Sequence, residues 1–515
     1  IRHIEGVRMG LYDFTVYDMI CRSTSIHPDQ EALVFNDRRL TYGEFKEKCD
    51  HLAAGLAAAG IKVGDRLGVV ANNSDEYLIL YGAAAKIGAI VLSVNWRFQE
   101  EEIYFVLNDC APRYVFAGRP YCEVVSNAAK RVASIEKCFA MGPENPPAGF
   151  LPLSSLYTQE GADRHFDVSA HAGFVIIHTA AMEGEPRGAL LSQANIVFGS
   201  MASLLRYHLI QEDCHICILP LFHIAGLAMT MATIHCGGKN VIMERFNPEQ
   251  TLAAIEKEKG TTFFNFAPIL KMLMEANEQA GYDISSLRHV TGMDHPENIM
   301  RFLELVPGVK YETGFGQTEA MGVTGGLISD RPGSAGKVTP LSRVALFDDL
   351  GGEVPTGEAG EICVRSPTVF LGYWGRDADN AYTFRHGWHH TGDIGKFDED
   401  GFLWYVKRKA QKELIKPGGE NVYPAEVEKV ILSHEAVAEV SVIGVSDKQW
   451  GEAIKAICVL EPEQTVEPEA LKEYVASKIA RYKKPKHVVF VEDLPKTADG
   501  EIDREKVKKA HGAKY

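Results

Sequence analysis

The sequence predicts an α/β protein of more than one domain. A large N-terminal domain of mostly parallel sheets has helices on both faces and carries a small β-rich subdomain; a small α+β C-terminal domain follows. Three observations lead there. At 515 residues the chain is too long for a single hydrophobic core. From about residue 13 to 117, short apolar strand patterns alternate with amphipathic helix patterns, the sign of βαβ units. Beyond Ser334 the character changes to short strands and Gly/Pro turns, and the last hundred or so residues read as a compact α+β unit.

In order along the chain, Thr41-Tyr42-Gly43-Glu44 reads as a helix N-cap ahead of an Ala/Leu-rich amphipathic run to Ala59. A turn at Gly64-Asp65-Arg66 leads into a strand over 67–71, a helix is expected over 75–87, and Gly88 leads into a strand over 89–94. The rhythm continues with strands at 174–177, 217–221, 241–243 and 262–264. Later strands are expected at 343–347, 361–365 and 402–406. The final unit has a helix over 424–433, a β run over 438–445, a helix over 468–479 and a strand over 487–491. A natural boundary falls near Lys407, where Lys407-Arg408-Lys409 reads as a basic linker. Residues 1–8 precede Met9 and lack an apolar signal core; they are expected to be a remnant of expression and are set aside.

Composition excludes several classes. With 46% hydrophobic and 24% charged residues the chain is globular, and the absence of an apolar run of about 18 residues argues against a membrane-spanning helix. A net charge of −15 argues against a general nucleic-acid binder. The ten cysteines form no disulfide-like framework, which favours a reducing cytoplasm. Cys214-His215-Ile216-Cys217 runs into an apolar stretch and is expected to be buried strand rather than a metal ligand pair.

Residues 387–424 order the rest. They hold Asp393 behind a Thr-Gly turn, a hairpin-like Asp-Glu-Asp-Gly, the basic linker, and a Gly418-Gly419 loop ending in Glu420-Asn421-Val422-Tyr423-Pro424. Asp is a short bidentate acceptor suited to a sugar diol, and paired glycines let backbone approach a ligand. Residues 178–188 follow an apolar strand and precede a helical pattern from Gln193, which fits either a nucleotide loop or a surface turn. In residues 311–319 Gly314 and Gly316 flank Phe315, which could stack on a base. Thr318 could bond a phosphate and Glu319 could hold Mg²⁺; a buried Gly-aromatic turn fits as well. His223 sits in the apolar run LPLFHIAG, where a satisfied core histidine is the plainer reading.

Taken together and in order, the 178–188 loop, LPLFHIAG, YETGFGQTE, GEAGEICVRSPTVFLGYW, GWHHTGD, KRKAQKELIKPGGENVYPAEVE and PKTADGEIDR resemble the adenylate-forming family. That family includes acyl-CoA synthetases, peptide-synthetase adenylation domains and beetle luciferases, and the similarity spans about residues 9–509. The resemblance implies activation of a carboxylic acid by ATP to acyl-AMP and pyrophosphate, with Mg²⁺, then acyl transfer to the thiol of coenzyme A. It implies an AMP-binding domain over 9–406, a hinge at 407–408 and a C-terminal domain over 409–515 that rotates between half-reactions.

By the same resemblance the nucleotide would be held by Thr179, Gly184, Arg187, Gly188, Gly292, Asp294, Gly314, Phe315, Gly316, Thr318, Asp393 and Arg408. Phe222, His223, Ala225, Gly226, Tyr311, Gly316, Gln317, Gly418, Gly419 and Glu420 would line the acyl and CoA path. Catalysis would fall to Thr318, Glu319 (also the metal ligand), His223, the Lys407 pivot, Gly419 and the residue at 501. Segments 223–230, 291–295 and 311–317 would line the acid pocket.

Two motifs depart from the family. Its phosphate loop, T-S-G-T-T-G-x-P-K-G, here reads T-A-A-M-E-G-E-P-R-G, with hydroxyls lost and a carboxylate gained. Its C-terminal P-K-T-x-x-G-K-I-x-R has Glu501 in place of the second Lys. Both changes fall on adenylation, so thioester formation is expected to be intact and ATP-driven activation slow or served by another cation, Lys496 or Arg187. The alternatives are a subfamily variation in loop route, a weakly active or non-enzymatic binder of nucleotide or CoA, and an enzyme loading a carrier protein in trans. An oligomer is compatible with the sequence.

Overall fold

The computed structural model describes residues 10–142, 144–179, 186–408, 414–418, 420, 422–497 and 502–512. Among them the strands form four sheets. In the eight-stranded sheet, Gly173–Thr179, Ile90–Ser93, Arg66–Val70, Tyr114–Gly118, Lys137–Met141 and Leu151–Pro152 run parallel; Arg187–Ser192 and Gly372–Tyr373 add antiparallel rungs at one edge. The nine-stranded sheet has a parallel centre from Lys310–Thr313 through His289–Met293, Thr262–Phe266, Cys214–Cys217 and Lys239–Ile242 to Glu31–Phe35, with antiparallel strands at both edges. The α/β class with mostly parallel sheets is as expected.

One apolar cluster joins the two sheets: it takes Leu33 and Ile242 from one, Val69 and Val91 from the other, and the helices Val16–Ile26, Tyr42–Ala58 and Asp75–Ile87 between them. Asp75–Ile87 is buried along almost its whole length, which explains a helix apolar on every side. It starts at a Ser74 cap and stops at Gly88, whose φ of 73° suits a residue without Cβ. Thr41 and Glu44 form the expected capping box.

The third sheet is antiparallel throughout: Arg343–Phe347, Gly360–Arg365, His389–Phe397 and Leu403–Arg408. The fourth pairs Val437–Asp447 with Gly451–Leu460 antiparallel and His487–Phe490 parallel. Pro424–Leu432 and Pro468–Lys478 cover one face, and Arg504–His511 sends Val507 into the other. These are the β subdomain and the C-terminal α+β unit.

Three expectations need correction. The strand placed at 217–221 is Cys214–Cys217, and the chain leaves the sheet before Pro220, which has no N–H to donate to a ladder. Lys407 and Arg408 are not linker: they close the strand Leu403–Arg408, opposite Ile394 and Asp393. The 180s do not join strand to helix. Gly173–Thr179 and Arg187–Ser192 are paired antiparallel, Thr179 opposite Arg187, so the segment is a hairpin connection and the helix Gln193–Tyr207 begins only after the second strand. That strand is buried on both faces, with Ala189 and Leu191 in one cluster and Leu190 in another. A run apolar on both faces carries no polar alternation to reveal it.

Packing is tightest where helix Tyr42–Ala58 meets the chain at Leu156: a Cβ on Gly55 would lie 1.5 Å from the Leu156 carbonyl oxygen. Backbone cannot yield as a side chain can. Gly55→Ala is expected to destabilise by about 1–3 kcal/mol or more, read as a lower midpoint in urea unfolding. A midpoint within error of wild type would contradict this packing.

Candidate functional site

The principal cavity, about 230 Å³, opens at the carboxyl ends of the parallel strands of the nine-stranded sheet, the usual ligand position in open α/β sheets. Its wall draws on the strand end at Thr179, on Arg187 across the hairpin, on the 314–319 turn after Lys310–Thr313, on the third sheet through Thr391, Asp393 and Arg408, and on Lys416 and Tyr423 beyond it.

Asp393 is 1% exposed, yet its carboxylate reaches the cavity. Oδ1 accepts from Arg408 Nε at 2.8 Å and from the Tyr405 hydroxyl at 3.4 Å, and Oδ2 accepts from Gln317 Nε2 at 3.3 Å. Burial works against the Arg408 charge, but Asp393, Tyr423 and Tyr405 together outweigh it and the guanidinium pKa rises. The expected Thr-Gly turn is a kink inside the strand. Gly392 has a φ of 73°, its N–H donates to Glu361 Oε1 at 3.0 Å, and Thr391 Oγ1 donates to the Ile362 carbonyl at 2.6 Å.

Glu319, also buried, accepts at Oε1 from Thr179 Oγ1 (2.8 Å) and from the Tyr373 hydroxyl (2.9 Å). Arg187 stacks 3.9 Å over the Tyr373 ring and pairs with Asp379 at 3.3 Å; its buried Nε has no partner among the described residues. Thr179, Arg187, Glu319 and Thr318 therefore lie together at one end of the cavity, a set of oxygen donors beside a cation.

His223 caps the helix Ile224–Cys236: Nδ1 accepts from Ala225 N at 3.1 Å. Burial holds its pKa below the ordinary imidazole value. A neutral ring accepting at Nδ1 carries its proton on Nε2, so His223 offers a donor there. It borders the principal cavity and a second one of about 70 Å³, whose lining includes Asn95, His178, Phe222, Glu420, Tyr482 and Lys483. The second cavity lies where the C-terminal unit meets the large one. Lys483, 3% exposed, pairs there with Glu426 and, at 2.6 Å, with Glu102; Arg97 pairs with Glu420.

Of the sequence-predicted residues, the cavity collects Thr179, Arg187, His223, Ala225, Gly292, Gly314, Phe315, Gly316, Gln317, Thr318, Glu319, Asp393 and Arg408. Others serve elsewhere. Gly188 sits in the ladder opposite His178, and a Cβ there would meet Ile176 at 2.7 Å. Gly226 lets the helix start approach the Pro220 carbonyl. Tyr311 is buried and donates to Asn265 Oδ1, and Asp294 accepts from His295 N and from Asn298 at the start of helix Pro296–Leu305.

Phe222 and Glu420 line the second cavity, while Gly418 packs on Trp450 and donates to its carbonyl. Lys407 is exposed at its strand end. Gly184, Gly419 and Glu501 lie outside the described residues. Lys496 pairs with Glu439 at 2.6 Å, away from the cavity. Sequence reading missed Arg206, Phe264, Phe266, Lys416 and Tyr423, which also line it. Lys416 and Tyr423, which flank the Gly-Gly loop, had a signal close by.

Comparison with known proteins agrees with this architecture. The AMP-binding enzyme family matches residues 22–374, and the AMP-binding enzyme C-terminal domain matches residues 426–501. Indoleacetate–CoA ligase of Aromatoleum aromaticum is 31% identical over 500 residues, 95% of this chain and 97% of that protein. Feruloyl-CoA synthase of an Amycolatopsis species is 32% identical over 502 residues, 95% and 98% of the two. The structure of the amide bond synthetase McbA from Marinactinospora thermotolerans superposes with a TM-score of 0.88 at 25% identity, covering 97% of this chain and all of that one. With its large α/β domain, β subdomain and small α+β unit around one cavity, the chain belongs to the AMP-binding enzyme family, among homologues that are AMP-forming acyl-CoA ligases.

Proposed function

We propose that this enzyme joins a carboxylic acid to coenzyme A through an acyl-AMP, and that its thioester-forming half is the better preserved. The observation carrying the reading is the position of His223 between two cavities: one bears Asp393, Arg408, Thr318 and Glu319, and the other is closed by the C-terminal unit. In the first step a carboxylate oxygen attacks the α-phosphorus of ATP and the bond to pyrophosphate breaks. In the second a thiolate attacks the acyl carbon and AMP leaves.

Asp393 would accept the ribose hydroxyls while Arg408 orients its carboxylate. Thr318 would hold the α-phosphate. Glu319 and the Thr179 hydroxyl are hard oxygen donors of the kind Mg²⁺ takes, and would hold the ion that offsets phosphate charge. His223 Nε2–H would steady the acyl oxygen as the thiol arrives through the second cavity. Lys407–Arg408, the last rungs of their strand, are the proposed pivot, and 409–515 the proposed moving domain.

In the arrangement described, Lys416 and Tyr423 close on the principal cavity while Lys496 is engaged with Glu439 on the surface. That supports a thioester-forming orientation. The substitute cation for the missing Lys is then not Lys496 here. Glu501, in the position that would swing toward the phosphate in the other orientation, brings repulsion where the transition state needs positive charge.

Two measurements test this. Thioester formation from supplied acyl-AMP is expected to outrun ATP–pyrophosphate exchange, and Glu501→Lys to raise exchange, up to the order of 10²–10³-fold for a restored charge-stabilising donor. Fast exchange in the wild type that falls in Glu501→Lys would sink the reading. Separately, Glu102→Gln removes one charge from the Lys483 contact across the unit boundary while leaving Glu426 in place. Thioester formation should fall about tenfold, the effect of about 1.4 kcal/mol, with exchange unchanged. An equal fall in both would mean general destabilisation instead.

A further inference from the structure

The part of the cavity not occupied by the nucleotide set is built from apolar and flat side chains. Phe264 and Phe266 contribute ring surface, and Met229 and Met321 contribute sulfur, a lining suited to an aromatic ring. Helix Gln193–Tyr207 also lines the cavity, and its Gly199 and Ala202 keep that wall shallow. A Cβ on Gly199 would sit 2.8 Å from Met321 Cε. Beside Ser203 and Tyr207, the helix places one charged side chain in this wall, Arg206.

The guanidinium of Arg206 lies in a built cradle. Nε donates to Glu312 Oε2 at 2.8 Å and Nη2 to the Thr313 carbonyl at 2.7 Å. Two glycines make room for it: a Cβ on Gly325 would come within 2.0 Å of Nε, and one on Gly314 within 2.4 Å of Nη2. The side chain is 13% exposed, and Nη1 has no acceptor among the described residues and is open to the cavity. Glu312, buried at its side, compensates the charge, so the pair presents a hydrogen-bond donor with little net charge to the cavity.

A neutral acceptor on the ligand meets that donor without adding repulsion. A second carboxylate would bring its charge close to Glu312 as well, and an aliphatic chain would leave the donor unmatched. We infer that the acid activated here is an aromatic carboxylic acid with a neutral hydrogen-bond acceptor on the part of its ring that lies against helix Gln193–Tyr207, and that Arg206 reads that acceptor.

This rests on the ligase reading above, and the test separates the two. Thioester formation is measured with cinnamic acid, its 4-hydroxy and 4-methoxy derivatives, octanoic acid and terephthalic acid, and binding of the same acids with AMP is followed by calorimetry. In wild type the acceptor-bearing ring acids should exceed cinnamic acid in kcat/KM, or in affinity, by about tenfold or more, the effect of one hydrogen bond to a charged donor. Octanoic and terephthalic acids should fall below them. Arg206→Lys retains the charge beside Glu312, and hence the fold, but cannot supply three directed donors; there the acceptor advantage should shrink to about twofold or less.

Arg206→Met should abolish the advantage, and Arg206→Lys reads the effect should Arg206→Met not fold. Equal handling of cinnamic acid and its derivatives by wild type, or an advantage that persists in Arg206→Lys, overturns the inference. Absence of thioester from every acid overturns the ligase reading alone, since the binding series still decides whether Arg206 discriminates.

Discussion

A buried carboxylate must be paired, and the Asp393–Arg408 contact is the pairing on which this site depends. Removing both charges from water is costly, and the contact survives because each partner has further bonds: Asp393 accepts also from Gln317 and Tyr405, and Arg408 faces the cavity. The two residues are also opposite each other on neighbouring strands. The charge pair therefore reinforces the last rung of the third sheet.

The same economy holds at the other end of the cavity. Glu319 is steadied by hydroxyls from two different parts of the eight-stranded sheet, Thr179 and Tyr373, while Arg187 covers the Tyr373 ring and turns to Asp379. Two neutral hydroxyls thus meet at Glu319 Oε1. The walls contributed by Phe264, Phe266 and Arg206 come from the strand Thr262–Phe266 and the helix Gln193–Tyr207, which carry none of the residues proposed to hold the nucleotide.

Much of the fold was legible in the chain because local signals agreed with the global arrangement. Ser74 and Gly88 bracket the helix Asp75–Ile87 at the expected residues, and the capping box at Thr41 and Glu44 begins the helix before it. The strand Arg187–Ser192 was not legible: buried on both faces, it shows no alternation, and the loop before it looked like the entry to a helix. Lys407 and Arg408 looked like linker because basic residues are usually solvated, yet Arg408 finds its counter-charge across the ladder.

By itself the sequence determined the chemistry available: which carboxylates, hydroxyls and glycines occur, in what order, and that the lysine expected at position 501 is a glutamate. Order along the chain is enough for that, since each motif is short and its residue types carry the reactivity. Only the tertiary structure decided which of them meet. Arg206, Phe264 and Lys416 are far apart in sequence and border one cavity, whereas Tyr311, Gly226 and Asp294 stand beside site residues in the chain and turn instead to packing and capping. The reason is physical: a side chain's direction is set by strand pairing and helix phase, and its partners by packing between elements that sequence separation does not record.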